Sequence, residues 1–152
     1  MDTEEVREKI VKFDFSLIHF LRQYSTPFLR YSLGGIFIWL GLLKPLGMSP
    51  AEELISQTVY VVPPEYFIPV LGVWEVIIGI CLIYRPLLRV GIFFMIPQMI
   101  GTFLPMLILP SVVYTFFPFG LTLEGQYIVK NIVLITAALV IGSSVKPLEN
   151  AE

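Results

Sequence analysis

Five side chains stand where an apolar sequence has least use for them: Lys44, Glu75, Gln98, Lys130 and Asn131. Each interrupts a long apolar stretch, and each needs a hydrogen-bonding or ionic partner there, because burial without one costs several kcal/mol. Their types define the chemistry available. A lysine donates to a carbonyl or pairs with an anion, a glutamate accepts and can exchange a proton, and the two amides do both donor and acceptor work. A carboxylate in such surroundings stays ionised only beside a cation, so Glu75 is expected to pair with Lys44, Lys130 or both. With both lysines charged, one positive charge is left over for a ligand anion, a polarised carbonyl or a headgroup. Glu75 is thus the candidate catalytic residue, and Lys44, Gln98, Lys130 and Asn131 are candidate ligand-binding residues. The competing reading is structural: Glu75 ties helices together while Lys44 reaches out to the membrane interface.

These residues must be positioned by membrane-spanning helices. The chain has 152 residues, 56% of them hydrophobic and 14% charged, with a mean hydropathy of +0.81. The charges collect at segment ends and leave four stretches near the ~20 residues that a bilayer requires. They run from about Phe28 to Leu46, Ile68 to Tyr84, Leu87 to Leu109 and Gln126 to Val145. The expected fold is an all-α membrane protein, an antiparallel four-helix transmembrane bundle. Only Arg85 and Pro86 separate the second and third spans, which must form a tight hairpin. In domain terms, residues 1–27 form an N-terminal segment, 28–146 the transmembrane domain and 147–152 a tail.

Basic residues orient the bundle. Arg7, Lys9, Lys12, Arg22 and Arg30 precede the first span, Arg85 and Arg89 flank the hairpin turn, and Lys146 follows the fourth span. The connections Gly47 to Phe67 and Pro110 to Gly125 contain no lysine or arginine, so both termini are expected on the cytoplasmic side. At 1.5 Å per residue, Lys44 lies about 5 Å from the outer end of its span, and Glu75 and Lys130 each about 10 Å inside theirs. Periodicity groups Arg30, Gly34, Phe37, Gly41 and Lys44 on one face of the first span, and Gly72, Glu75 and Gly79 on the second. Gly91, Met95, Gln98, Thr102 and Pro105 share a face of the third span, and Lys130, Leu134, Ala137 and Gly142 one of the fourth. Small residues beside polar ones allow close helix approach in lipid, so these faces should point inward.

Outside the spans, Val6, Ile10, Phe13, Leu17, Leu21 and Tyr24 recur every three or four residues, which reads as an interfacial amphipathic helix. It either anchors on the cytoplasmic leaflet or docks a soluble partner; His19 falls on its polar side and is expected to be solvated. Ser49-Pro50-Ala51-Glu52 has the form of a helix start, with Ser49 as N-cap, predicting a short outer helix to about Tyr60. The aromatic run Tyr114, Phe116, Phe117 and Phe119 is either an interface belt or a lid. Pro97 should kink the third span, and Trp39 and Trp74 either line a cavity or pack against lipid. The net charge of −2 argues against a nucleic-acid partner. One histidine and one cysteine, Cys81, cannot build a zinc, haem or iron–sulfur ligand set, so no metal is expected.

The pattern Arg30, Gly34, Trp39-Leu40-Gly41-Leu42-Leu43-Lys44, then Gly72-Val73-Trp74-Glu75 and Gly79, then Gly125-Gln126-Tyr127 and Lys130-Asn131 resembles the DoxX-like superfamily, and within it the YkgB-like branch. The resemblance covers roughly Phe28 to Val145. It implies a small four-helix protein of a prokaryotic cytoplasmic membrane; the group includes DoxD, the membrane subunit of a thiosulfate:quinone oxidoreductase. Two functions remain open. One is a membrane subunit of a redox system that binds a quinone-like molecule, with no covalently bound cofactor, and acts with a partner protein. The other is a non-catalytic lipid or small-molecule binder, or an assembly factor for another membrane protein. Membrane lipid is a partner in either case, and transport by a four-span chain would require a homo-oligomer.

Overall fold

The computed structural model describes residues 3–145. Lys146 and the 147–152 tail lie outside the described residues. The chain begins with α1 (Thr3–Leu43), followed by α2 (Glu52–Thr58) and α3 (Pro64–Ile83). A single 3-10 turn, Arg85–Leu87, leads into α4 (Leu88–Thr102), α5 (Leu104–Ile108) and α6 (Pro110–Val113). A two-stranded antiparallel hairpin, β1 (Tyr114–Phe116) and β2 (Gly120–Leu121), precedes α7 (Leu123–Val129) and α8 (Asn131–Ser143). Four helical stretches are long and apolar enough to cross a membrane: Thr3–Leu43, Pro64–Ile83, Arg85–Ile108 and Leu123–Ser143.

The helices pack in a ring, α1 against α3 and α8, and α4 against α3 and α8. Leu33 and Phe37 from α1, Ile78 and Leu82 from α3, Met95 and Met99 from α4, and Ala138 and Ile141 from α8 fill its centre. The inward faces expected on the first three spans are observed, with Gly34, Phe37, Gly41, Gly72, Gly79, Gly91 and Met95 all buried. Glycine decides the closeness of the α1–α3 contact. A Cβ at Gly79 would lie 2.6 Å from the carbonyl oxygen of Gly34, so only the missing side chain admits the neighbouring backbone. The tight connection between α3 and α4 also matches expectation, and the 3-10 turn carries Pro86 where its missing N–H is harmless.

Several expectations are corrected. The N-terminal segment is not a separate helix: α1 runs unbroken through Pro27. The outer helix starts later than Ser49, whose hydroxyl accepts from the Ala51 N–H at 3.4 Å while Ala51 takes the N-cap position without a side-chain cap. The third span is not one helix: it continues through Pro97 and breaks at Phe103. Pro105 accounts for that break, because it has no N–H to give the Gly101 carbonyl; Phe103 and Met106 donate to Ile100 and Phe103 in three-residue turns at 3.1 Å. The fourth span divides at Lys130. The fold is not wholly helical either, since the outer aromatic run folds into the β1–β2 hairpin, with a cis Phe117–Pro118 peptide at its turn.

Candidate functional site

The α1–α3 crossing builds the site. Gly41 and Gly72 bring the two backbones together, and the side chains one turn away, Lys44 on the first element and Glu75 on the second, lean back toward that crossing. Side chains on a helix tilt toward its N-terminus, so on antiparallel neighbours these two converge from opposite directions. The Lys44 ammonium donates to Glu75 Oε2, and the pair is deeply enclosed, with side-chain exposures of 7% and 12%. From α4, Gln98 Nε2 donates to the other carboxylate oxygen, Glu75 Oε1, at 2.6 Å. Three helices therefore meet on one carboxylate.

This arrangement is neutral and not fully satisfied. An ionised carboxylate only accepts, so the Gln98 amide must present its nitrogen to Glu75, which leaves Gln98 Oε1 facing away. That oxygen is buried and has no hydrogen-bond partner. A buried acceptor without a donor costs about 1–3 kcal/mol. Lys44 carries three ammonium protons, of which the carboxylate takes one. The cluster can thus still accept at Gln98 and still donate at Lys44. Two open surface hollows, one along Glu4–Val11 of α1 and one between α2 and the start of α3, are not lined by the cluster.

Lys130 does not join it. Its side chain is exposed, and its ammonium sits over the Tyr127 ring at 4.0 Å from the centroid. The expected convergence of three charges is instead two charges and an amide, and no surplus positive charge remains at Glu75. Leu134, Ala138 and Ile141 of α8 reach the core, whereas Gly125 of α7 packs against Val113 and Leu121 outside it, and Lys130, at the junction of the two helices, is left turned out. Asn131 is half-buried and donates to the Thr102 hydroxyl at 3.1 Å, which in turn donates to the Met99 carbonyl at 2.7 Å. This is a second polar link, between α8 and α4, separate from Glu75. Thr102 as its partner was not anticipated; the hydroxyl on the same α4 face as Gln98 was the available signal.

The remaining candidates are peripheral. Trp39 is 70% exposed on the outer side of α1, and Trp74 packs edge-on against Phe94 at 4.9 Å, so neither lines the cluster. Cys81 is buried where Gly91 approaches; a Cβ on that glycine would be 2.9 Å from the cysteine Cβ. His19 is exposed. Among the described residues no group of three His, Cys, Asp or Glu side chains is arranged to hold a metal ion. Thr122, unforeseen as a cap, starts α7 by accepting from the Gly125 N–H at 3.1 Å while donating to the Val112 carbonyl at 2.7 Å.

Comparison of the chain with protein-family models, with curated proteins and with solved structures found no match.

Proposed function

We propose that the chain is an integral membrane protein of four spans, with both termini on the cytoplasmic side of a prokaryotic cytoplasmic membrane, that binds a quinone-like molecule at Lys44, Glu75 and Gln98. The observation that carries this reading is the half-satisfied cluster, with its spare donor on Lys44 and its empty acceptor on Gln98 Oε1. A quinone carbonyl would accept from Lys44, and the hydroxyl of the reduced form would donate to Gln98 Oε1. Glu75 lies between them and is the group able to pass a proton. Reduction of a quinone takes two electrons and two protons; the electrons would come from the reduced centre of a partner subunit. This assignment agrees with the DoxX-like resemblance of the segment Phe28 to Val145. Neither Lys130 nor Asn131 enters this site.

A second reading has one observation in its favour: Glu75 already accepts from both Lys44 and Gln98, which joins three elements through one carboxylate. On that reading Glu75 holds α1, α3 and α4 together, and the protein is a non-catalytic lipid binder or an assembly factor. Solvent extraction of the purified protein, followed by chromatography of the extract for isoprenoid quinones and phospholipids, separates the two. The proposal expects a quinone in a fixed proportion to protein. Phospholipid alone, unchanged after quinone is supplied, would refute it.

A further inference from the structure

The first 25 residues of α1 raise a question that the cluster does not answer. A helix of this length extends about 60 Å, roughly twice the hydrocarbon thickness, so about half of α1 lies outside any span it forms. That half is studded with exposed apolar side chains. Ile10, Phe13, Leu17, Phe20, Tyr24 and Phe28 follow one another at steps of three and four, and the tilted rings of Phe20 and Tyr24 have centroids 4.8 Å apart.

The same line continues upward without a break through Tyr31, Gly35, Trp39 and Leu42, all exposed or open on the outer side of α1. At about 100° per residue this line lies on the far side of the helix from Leu33, Gly34, Phe37 and Gly41, which face the other helices. The N-terminal apolar stripe is therefore an extension of the surface that α1 turns away from the bundle. Resting on the membrane-spanning reading above, we infer that in a bilayer α1, unbroken through Pro27 in this structure, bends outward there, and that its N-terminal half lies on the cytoplasmic leaflet with this stripe in lipid.

The direction of the turn follows from the azimuth. When a helix leaving the bilayer bends away from its bundle, the side that faced outward rotates to face the membrane. A bend beneath the bundle would aim the stripe at water. Pro27 is the natural joint, because it cannot donate to the Gln23 carbonyl one turn earlier. Lipid fits the stripe better than a second copy does. Leu21, also exposed, widens the stripe, which Asp14 and Arg7 bound on one side and Lys9 and Ser16 on the other, and lipid already covers the same line where it continues along the span at Tyr31, Trp39 and Leu42. Aromatic side chains predominate along it, as at a membrane interface. Val11, Phe15 and Ile18 fall outside the stripe.

Spin labels test this in the full chain, with Cys81→Ala as background and vesicles of phosphatidylethanolamine and phosphatidylglycerol. Labels replace Phe13, Phe20, Ser16 and His19 one at a time, with Val133 on the outer side of α8 as the reference for lipid. Relaxation by oxygen marks lipid, and relaxation by a water-soluble nickel chelate marks solvent. The inference expects oxygen-dominated relaxation at Phe13 and Phe20, as at Val133, and nickel-dominated relaxation at Ser16 and His19. Nickel access at all four, or shielding of Phe13 and Phe20 from both reagents with dipolar coupling between two copies, would overturn it. Nickel access at Val133 would overturn the membrane-spanning reading as well, which distinguishes the two failures.

Discussion

A Cβ on Gly41 would lie 2.7 Å from the carbonyl oxygen of Gly72, and a Cβ on Gly72 would lie 2.5 Å from that of Gly41. The α1–α3 crossing is therefore a contact between two backbones, and it is the contact that lets Lys44 and Glu75 meet. Alanine favours a helix over glycine by about 1 kcal/mol, but forcing a methyl group against rigid backbone costs about 1–3 kcal/mol. Overpacking should win, so Gly41→Ala and Gly72→Ala should each lower the melting temperature in detergent. Gly35→Ala, with nothing within 4 Å, is the control and should melt at or above the parent. A control that falls as far as the other two would show that the crossing has no special role.

Removing one partner of the buried pair should cost more than removing both. Lys44→Met leaves Glu75 held by Gln98 alone, and a buried charge stripped of its counter-ion costs about 3–5 kcal/mol. Replacing both Lys44 and Glu75 with methionine removes the unpaired charge and should recover most of that loss. Guanidine or thermal denaturation of the two single variants and the double variant measures the coupling. Additive losses would mean that the two groups do not depend on each other.

Lys130 and Asn131 should behave differently although they are adjacent. Lys130→Met gives up an exposed cation–π contact worth about 0.5–1 kcal/mol and should leave ligand binding unchanged. Asn131→Ala breaks the link to Thr102, worth about 0.6 kcal/mol on average for such bonds between membrane helices, and should loosen α8 against α4. Quinone retention lost in Lys130→Met would place that lysine in the site after all.

The orientation is tested by topology reporters. One fused after Glu152 or inserted near Arg85 should read cytoplasmic, and one within Ala51 to Thr58 should read external. An external C-terminus would reverse the assignment.

That Glu75 pairs with a lysine was legible in the sequence, because a charge in an apolar stretch has few ways to be tolerated; which lysine, Lys44 or Lys130, was not. Gln98 was legible for the same reason. Lys130 was not, because its place assumed an uninterrupted helix from Gln126 to Val145 facing the core throughout, whereas Gly125 of α7 packs against Val113 and Leu121 and the core contact begins with Leu134. Two prolines eight residues apart presented the same ambiguity on the third span: Pro97 sits within an unbroken helix and Pro105 marks the break. The β1–β2 hairpin was hidden by its composition. Its aromatic and β-branched residues Tyr114, Thr115 and Phe116 suit a strand, but in an apolar membrane sequence the same residues read as an interface belt.

The claim that Lys44, Glu75 and Gln98 form a ligand site is tested most directly by Glu75→Gln, with bound quinone and melting temperature measured on the same detergent preparation. Glutamine keeps the shape and most of the hydrogen bonding of the side chain while removing its charge and exchangeable proton. The account predicts that the bundle still assembles but that bound quinone falls by about tenfold or more, a loss of about 1.4 kcal/mol in binding. Because ligand loss itself lowers the melting temperature, parent and variant are compared after both have been stripped of quinone, where they should melt alike. A Glu75→Gln protein that retains its quinone but melts well below the stripped parent would contradict the account and make the carboxylate a structural tie.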